Sequence, residues 1–144
     1  MSAGFLLDTN VLSELMRDKP APEVLSWFAG QAASQLHTST ITQAELLAGI
    51  AVLPAGKRRD ALAQSFQQIF DVELLGRCLV FGSGAAAHYA LIRAQRRHAG
   101  RPITTEDAQI AAIALAAQLH LVTRNTKDFA DIDELVVINP WQPH

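Results

Sequence analysis

Residues 4–15 read GFLLDTNVLSEL and combine a short apolar run, an acidic residue and the beginning of a helix. The run FLL at 5–7 is typical of a buried strand, and the apolar residues that follow Thr9 recur at helical spacing. Asp8 stands at the junction, where a carboxylate can cap the first turn of a helix. The stretch predicts a strand that leads into a helix, and it leaves open whether Asp8 only caps that helix or also takes part in chemistry.

The same alternation of short apolar strands with helices continues along the whole chain. The strands are expected near 4–8, 36–40, 78–81, 121–123 and 135–138. The helices are expected near 9–17, after Pro22, and near 42–52, 57–72, 83–98 and 105–119. Short apolar strands that alternate with helices favour a parallel sheet with both faces buried. We therefore predict an α/β fold, a single domain over residues 1–144 whose short parallel sheet is flanked by helices on both faces.

Composition and charge exclude several classes of protein. With 49% hydrophobic residues in 144, the chain can bury a core and is not disordered as a whole. A net charge of −2 gives no overall attraction to nucleic acid, so a polyanionic substrate would need a local basic patch or a bound metal. The lone Cys78 fits a reducing compartment, and no apolar stretch is long enough to span a bilayer. We expect a soluble cytoplasmic protein without membrane contact.

Acidic residues at the strand–helix junctions have ordinary structural explanations when taken one at a time. Asp8 can be the N-cap of its helix. Thr42 and Glu45 have the Thr-x-x-Glu spacing of a capping box, and Thr104 and Asp107 repeat that spacing. Acids in a first turn are also favoured by the helix dipole. Capping alone is therefore a sufficient explanation for any single one of these residues.

The acidic residues taken together are harder to explain by local structure. Asn125 and Asp128, after the fourth expected strand, can serve an ordinary turn. In an open parallel sheet, however, positions just past the strands gather along one edge, where such folds bind ligands. Carboxylates that converge there repel each other by about 3 kcal/mol per pair at roughly 5 Å and an effective dielectric near 20. A cation is therefore expected to lie among them.

The kind of cation follows from the ligands on offer. No His or Cys accompanies the acidic residues, and an all-oxygen site suits Mg²⁺, or Mn²⁺, rather than zinc. Carboxylate-held Mg²⁺ that keeps its waters serves phosphodiester hydrolysis, because it activates a bound water and stabilises charge on the phosphate. The pattern therefore favours a metal-dependent phosphodiesterase.

Four ordered stretches of the chain resemble the PIN-domain nucleases, specifically the VapC-type toxins of bacterial toxin–antitoxin pairs. They are LLDTNVLSEL, ITQAELLAGI, TTEDAQIAAIA and LVTRNTKDF, in that order, and the resemblance extends over nearly the whole chain. The resemblance implies a Mg²⁺-dependent endoribonuclease that acts on RNA, forms a homodimer and is neutralised by a small cognate antitoxin protein.

The resemblance also implies roles for individual residues. It assigns Asp8, Glu45 and Asp107 as metal-binding acids with a catalytic function. Asn10 and Thr123 correspond to groups that orient those carboxylates.

The fourth acidic position of the family differs in this chain. Asn125 stands where many members carry Asp, and Asp128 is the nearest carboxylate. An Asn can still bind a metal through its carbonyl oxygen, although with less charge. We expect Asp128 to supply the catalytic charge and Asn125 to support the site, and the number of metal ions stays open.

A basic run, LIRAQRRHAGR, follows the third expected strand. It places Arg93, Arg96 and Arg97 on one helical face. Such a face is equally consistent with a solvated surface and with a contact to the RNA backbone. These three arginines are therefore candidate RNA contacts.

Two other functions are compatible with parts of the sequence. A non-catalytic PIN-fold module that only binds RNA or protein would keep the fold, but clustered unpaired carboxylates would then be a cost without a function. Another metal-dependent phosphohydrolase is the second alternative. The absence of a D-x-D-x-T start argues against phosphoaspartyl chemistry.

Overall fold

The structure, a computed structural model, describes residues 4–142. In that part of the chain five parallel strands form one sheet in the order β3-β2-β1-β4-β5. The strands are β1 (Phe5–Leu7), β2 (Leu36–Ser39), β3 (Cys78–Leu79), β4 (His120–Val122) and β5 (Val137–Ile138). The helices are α1 (Thr9–Leu15), α2 (Pro22–Ala29), α3 (Thr40–Ala51), α4 (Lys57–Gln68), α5 (Ser83–His98) and α6 (Thr105–Ala116).

The α/β fold with helices on both faces of a parallel sheet is confirmed. Adjacent residues of β1 show why both faces must be covered, because successive strand side chains point to opposite sides. Leu6 packs with Leu121 in a core that α5 and α6 complete. Leu7 packs with Val122 in a second core, formed with α1, α3 and α4. Within residues 4–142, no helix combines the length and apolarity that crossing a membrane requires.

One predicted helix, near 57–72, is divided in the structure. It is α helical through Gln68 and continues as a π turn, Ile69–Glu73. The Leu74 amide donates to the Ile69 carbonyl over 2.7 Å, five residues back. Ile69, Phe70 and Leu74 are all buried, so the wider turn keeps apolar side chains on the core side.

The strand order reverses next to β1. From β1 the chain adds β2 and then β3 on one side of the sheet, and later returns to add β4 and β5 on the other. Asp8 follows β1 and Thr123 follows β4, and the Asp8 amide donates to the Val122 carbonyl over 2.9 Å. The carboxyl ends of the strands at such a reversal form a crevice in which open α/β sheets bind ligands.

The basic face predicted on α5 has a largely structural function. Arg96 is buried, with 6% of its surface exposed. It donates to the backbone carbonyls of Arg101 (2.8 Å), Asp128 (3.1 Å) and Ala130 (3.4 Å). The expectation that Arg96 contacts RNA is therefore wrong. The Arg96 side chain points into the protein, where its hydrogen bonds stabilise the turn after β4.

The two neighbouring arginines of α5 differ from Arg96. Arg93 is exposed, but its guanidinium donates to the Ile103 carbonyl over 2.7 Å and lies 5.8 Å from the Tyr89 ring centroid. Arg97 is exposed on the last turn of the helix. The three arginines therefore do not form one free basic surface.

Candidate active site

Asp8 is held rigidly at the point where the strand order reverses. Only 4% of its surface is exposed. Its Oδ1 accepts the Thr9 amide (2.8 Å), so it does cap α1. Its Oδ2 accepts the Thr123 hydroxyl (2.8 Å) and the Asn10 side-chain amide (3.3 Å). Asp8 is thus both a cap and a buried carboxylate whose orientation three donors fix.

Asn10 and Thr123 link the ends of β1 and β4 around that carboxylate. The Asn10 amide also donates to the Thr123 hydroxyl oxygen over 3.2 Å. The Asn10 side-chain oxygen accepts the Arg124 amide, and the Thr123 hydroxyl oxygen accepts the Asn125 amide, both over 3.1 Å. These contacts place both residues where they can orient Asp8, the role that the resemblance implies for them.

Glu45 does not belong to a capping box. Helix α3 begins at Thr40, and its N-cap is Ser39, whose hydroxyl oxygen accepts the Thr42 amide over 3.2 Å. Glu45 instead accepts the Thr9 hydroxyl over 2.7 Å. The structure therefore excludes the alternative explanation of Glu45 as part of a capping box with Thr42, and Glu45 is turned towards α1 and the Asp8 junction.

Asp107 lies in the first turn of α6. The N-cap of this helix is Thr104, whose hydroxyl oxygen accepts the Asp107 amide over 3.2 Å, as the sequence spacing predicted. Burial raises the pKa of the Asp107 carboxyl to about 6, and the negative charges of Asp8, Asp128 and Glu45 act in the same direction. Hydrogen bonding to Thr104 opposes the rise. The Asp107 carboxylate is therefore in an environment that favours neutralisation.

The same physical causes act on Asp8. Burial raises the pKa of its carboxyl, and the charges of Glu45 and Asp128 raise it further. The hydrogen bonds from Thr123 and Thr9 lower it in part. Two acids whose protons are held more tightly than usual, among further acids, mark a place where a cation would be stabilised.

An open cleft of about 490 Å³ collects most of the predicted site residues. Its walls are formed by Asp8, Thr9, Asn10, Ser13, Glu14, Arg17, Glu45, Asp107, Arg124, Asn125 and Trp141. Thr123 lies behind Asp8, and Asp128 acts on the cleft through its charge. The structure thus brings Asp8, Glu45 and Asp107 to one cleft.

The donor set of this cleft fits a hard cation in its chemistry. The acids present oxygen atoms, and among residues 4–142 no His or Cys lies on the cleft wall. As the side chains stand, however, no three Asp, Glu, His or Cys side chains within residues 4–142 are placed to hold one ion together. Glu45, for example, is engaged with Thr9. To bind one ion together, the acidic side chains would therefore have to move closer to one another.

Sequence reasoning missed a buried acid on the wall of the cleft. Glu14, in α1, accepts Arg17 Nη1 with both oxygens (3.1 and 3.2 Å) and the Ala21 amide (2.8 Å). The Ala21 amide is the main cause that lowers the pKa of Glu14, and Arg17 adds to it against the effect of burial. Glu14 thus fixes the segment after α1. The i,i+3 spacing of Glu14 and Arg17 could have indicated the pair.

An arginine and a tryptophan on the cleft wall were also missed. The Arg124 guanidinium carbon lies 4.9 Å from the Trp141 ring centroid, and the Trp141 amide donates to the Asn139 side chain over 2.9 Å. Arg124 stands inside the stretch LVTRNTKDF, so the motif itself could have drawn attention to it. Trp141 reaches the cleft only through the packing of the segment after β5, which no local pattern predicts.

The chain is thus an α/β protein whose acidic cleft lies where the strand order of a parallel sheet reverses. Residues 5–135 match the sequence profile of the PIN domain. The chain is 41% identical over 138 residues to "VapC ribonuclease Y4jK" of Sinorhizobium fredii, and the match covers 96% of this chain and 98% of that protein. It is 38% identical to "Toxin FitB" of Neisseria gonorrhoeae, covering 94% and 97%.

One solved structure is also similar to this chain in its fold. The crystal structure of FitAcB from Neisseria gonorrhoeae has a TM-score of 0.88 and 37% identity, and the match covers 96% of this chain and 99% of that one. The chain belongs to the PIN-domain family. The predicted domain limits of 1 and 144 lie outside both the profile match and the described residues 4–142, and they stay a prediction.

Proposed function

We propose that this chain is a metal-dependent endoribonuclease that hydrolyses RNA phosphodiester bonds in the acidic cleft and acts as the toxin of a toxin–antitoxin pair. One observation carries the proposal most directly: the reversal of the sheet brings buried Asp8 into one cleft with Glu45 and Asp107. The relatives named as a VapC ribonuclease and a toxin support the reaction and the biological role.

Mg²⁺ is the proposed cofactor, with Mn²⁺ as the alternative. Asp8, Glu45 and Asp107 would hold it, because their oxygens suit a hard ion and their mutual repulsion favours a cation. When bound, such an ion supplies a water with a lowered pKa and stabilises charge on the phosphate.

The residues of the chain have distinct tasks in this proposal. Asp8 cannot turn away, because the Thr9 amide, the Thr123 hydroxyl and the Asn10 side chain fix both of its oxygens. Asp107 holds a proton up to about pH 6 in the metal-free chain and is ionised at neutral pH. Arg124, stacked on Trp141, brings a cation to the cleft wall, where it can bind a phosphate of the RNA.

Two protein partners belong to the same proposal, a small cognate antitoxin and a second copy of the chain. Large apolar side chains are exposed on the helices, such as Leu25 of α2 (46%), Leu47 of α3 (47%) and Leu91 of α5 (71%). Such side chains are available for burial by another protein chain. The cytoplasm is the proposed compartment, since the RNA substrate and a reduced Cys78 fit it.

The test is incubation of the purified chain with total bacterial RNA and Mg²⁺, with EDTA in a parallel sample, followed by mapping of the new RNA ends. Defined internal cuts that EDTA abolishes and added Mg²⁺ restores are the expected result. RNA binding without cleavage under both conditions would instead support a non-catalytic module.

The fourth acidic position gives a prediction of its own. Asp128→Ala is expected to reduce cleavage more than Asn125→Ala, because Asp128 acts on Asp8 and Asp107 through a full charge, whereas Asn125 offers a neutral amide. Initial cleavage rates at saturating Mg²⁺ compare the two variants. The opposite order would mean that the amide on the cleft wall contributes more than the nearby charge.

A further inference from the structure

A second groove lies beside the acidic cleft, between the end of α1 and the beginning of α4. Its volume is about 700 Å³. Ser13 and Arg17 line both cavities, so the groove opens directly onto the cleft. Met16 and Leu62 give its surface an apolar component. The two cavities therefore form one continuous depression across α1.

The groove is basic, in contrast to the cleft. Lys19, Lys57 and Arg58 line it together with Arg17, and Asp18 is the acid on its wall. Within residues 4–142 the ion pairs are Arg17–Glu14 and Arg101–Asp131. Lys19, Lys57 and Arg58 are thus exposed cations without a carboxylate partner in the described part of the chain.

We propose that this groove binds the phosphate backbone of the RNA strand next to the bond that is cut. The proposal rests on the proposed function and adds the path of the substrate. The chain as a whole has a net charge of −2 and its cleft is acidic, so a polyanion has to gain its attraction from cations nearby. A strand whose reacting phosphate lies in the cleft passes directly into the groove across Ser13 and Arg17.

The other basic surface of the molecule lacks this continuity. Arg93, Arg97 and His98 line a separate cavity at the end of α5, and none of the described residues lines both this cavity and the acidic cleft. Arg93 is also engaged with the Ile103 carbonyl. The groove proposal therefore replaces the earlier expectation that Arg97 contacts RNA, and Arg97 serves as a matched control, because it is an exposed helical arginine like Arg58.

The experiment measures binding of a fluorescent single-stranded 20-nucleotide RNA of mixed sequence in Mg²⁺, with Asp107→Asn in every sample so that the RNA stays intact. Lys57→Glu and Arg58→Glu are each expected to weaken binding about tenfold at low salt. Each should also reduce the slope of log K against log salt by about 0.7, the value for one phosphate contact on a single strand. Arg97→Glu, with the same change in net charge as Arg58→Glu, should leave both quantities unchanged.

A second pair of variants and a shorter RNA guard against indirect effects. Lys57→Gln and Arg58→Gln remove the positive charge without reversing it. Each should therefore weaken binding of the 20-nucleotide RNA, but by less than the corresponding change to Glu. A two-nucleotide RNA has a single phosphodiester, which would lie in the cleft and leave no neighbouring phosphate for the groove, so it should bind equally to all groove variants. Melting temperatures of all variants test whether the fold is retained.

The possible failures are distinguishable from each other. If the chain with intact groove binds neither RNA, the proposed function fails and this proposal falls with it. If the 20-nucleotide RNA binds but Lys57→Glu and Arg58→Glu change neither the affinity nor the salt slope, only the groove proposal is overturned. The remaining occupant of the groove would then be a protein partner. Equal losses in Arg97→Glu and Arg58→Glu would also overturn it, because they would indicate a general effect of charge.

Discussion

Asp107→Asn is expected to abolish RNA cleavage while raising the melting temperature of the metal-free chain. The variant lacks one of the proposed metal-binding carboxylates, so the transition state loses several kcal/mol of stabilisation. A loss of that size lowers the cleavage rate by roughly 100-fold or more. The asparagine keeps the backbone amide that Thr104 accepts, so the cap of α6 survives. It also removes a half-buried charge that Asp8, Asp128 and Glu45 repel.

The gain in stability has a defined pH dependence. The pKa of Asp107 is about 6 in the folded chain against an ordinary value of 3.8, so the folded state binds the proton more tightly than the unfolded state. The metal-free chain is therefore destabilised by this carboxylate as pH rises through 6, and this penalty is absent below 3.8. The advantage of Asp107→Asn should be largest at pH 7–8 and should vanish near pH 4.

Melting curves in EDTA between pH 4 and 8, together with cleavage rates in Mg²⁺, measure both effects. Asp8→Asn is the informative contrast, because its new amide would face the Thr123 and Asn10 donors and lose the acceptor they now share. That variant should lose activity without gaining stability. A folded Asp107→Asn protein that cleaves RNA at the unaltered rate would remove Asp107 from the site.

Glu45→Gln is expected to lose most of its cleavage activity with almost no change in melting temperature. Glutamine has nearly the same volume and can still accept the Thr9 hydroxyl, which Glu45 contacts at 2.7 Å. What it lacks is the charge proposed to hold the metal. The side chain of Glu45 is exposed, so its neutralisation leaves no buried group without a partner.

Ser39→Ala is the matched control on the same helix. Ser39 is the N-cap of α3, and its loss is expected to cost about 1 kcal/mol, or a few degrees of melting temperature. Most of the cleavage activity should remain, because Ser39 does not line the cleft. If Glu45→Gln cleaves RNA normally in Mg²⁺, Glu45 serves only to bind Thr9 and the proposed site loses one acid.

The fold was predictable because its determinants are local. Short apolar strands, of which β1, β2 and β3 are each followed by an α helix, indicate the parallel α/β class without knowledge of any long-range contact. The position of Asp8 at a strand–helix junction was equally visible, since β1 ends at Leu7 and α1 begins at Thr9. The same logic placed Asp107 in the first turn of α6.

The differences from the prediction have another cause, because each depends on the exact extent of a neighbouring element or on a tertiary contact. Ser39 and Thr42 could each cap α3, and only the extent of β2 decides for Ser39. Arg96 looks like Arg97 in sequence, yet the angular position of Arg96 on α5 points it at three backbone carbonyls. Trp141 is brought to Arg124 by tertiary packing, which the sequence pattern does not contain.

The reversal of strand order has a consequence for the order in which the chain gains its activity during synthesis. Asp8 is made well before its partner, because its Oδ2 is fixed by Thr123, 115 positions later, and β1 is enclosed only when β4 docks beside it. Contacts of such long range form late, after the intervening loop has been closed. A nascent chain in which β4 has not yet left the ribosome therefore carries its acids without an assembled site, and RNA cleavage is expected only after β4 has docked beside β1.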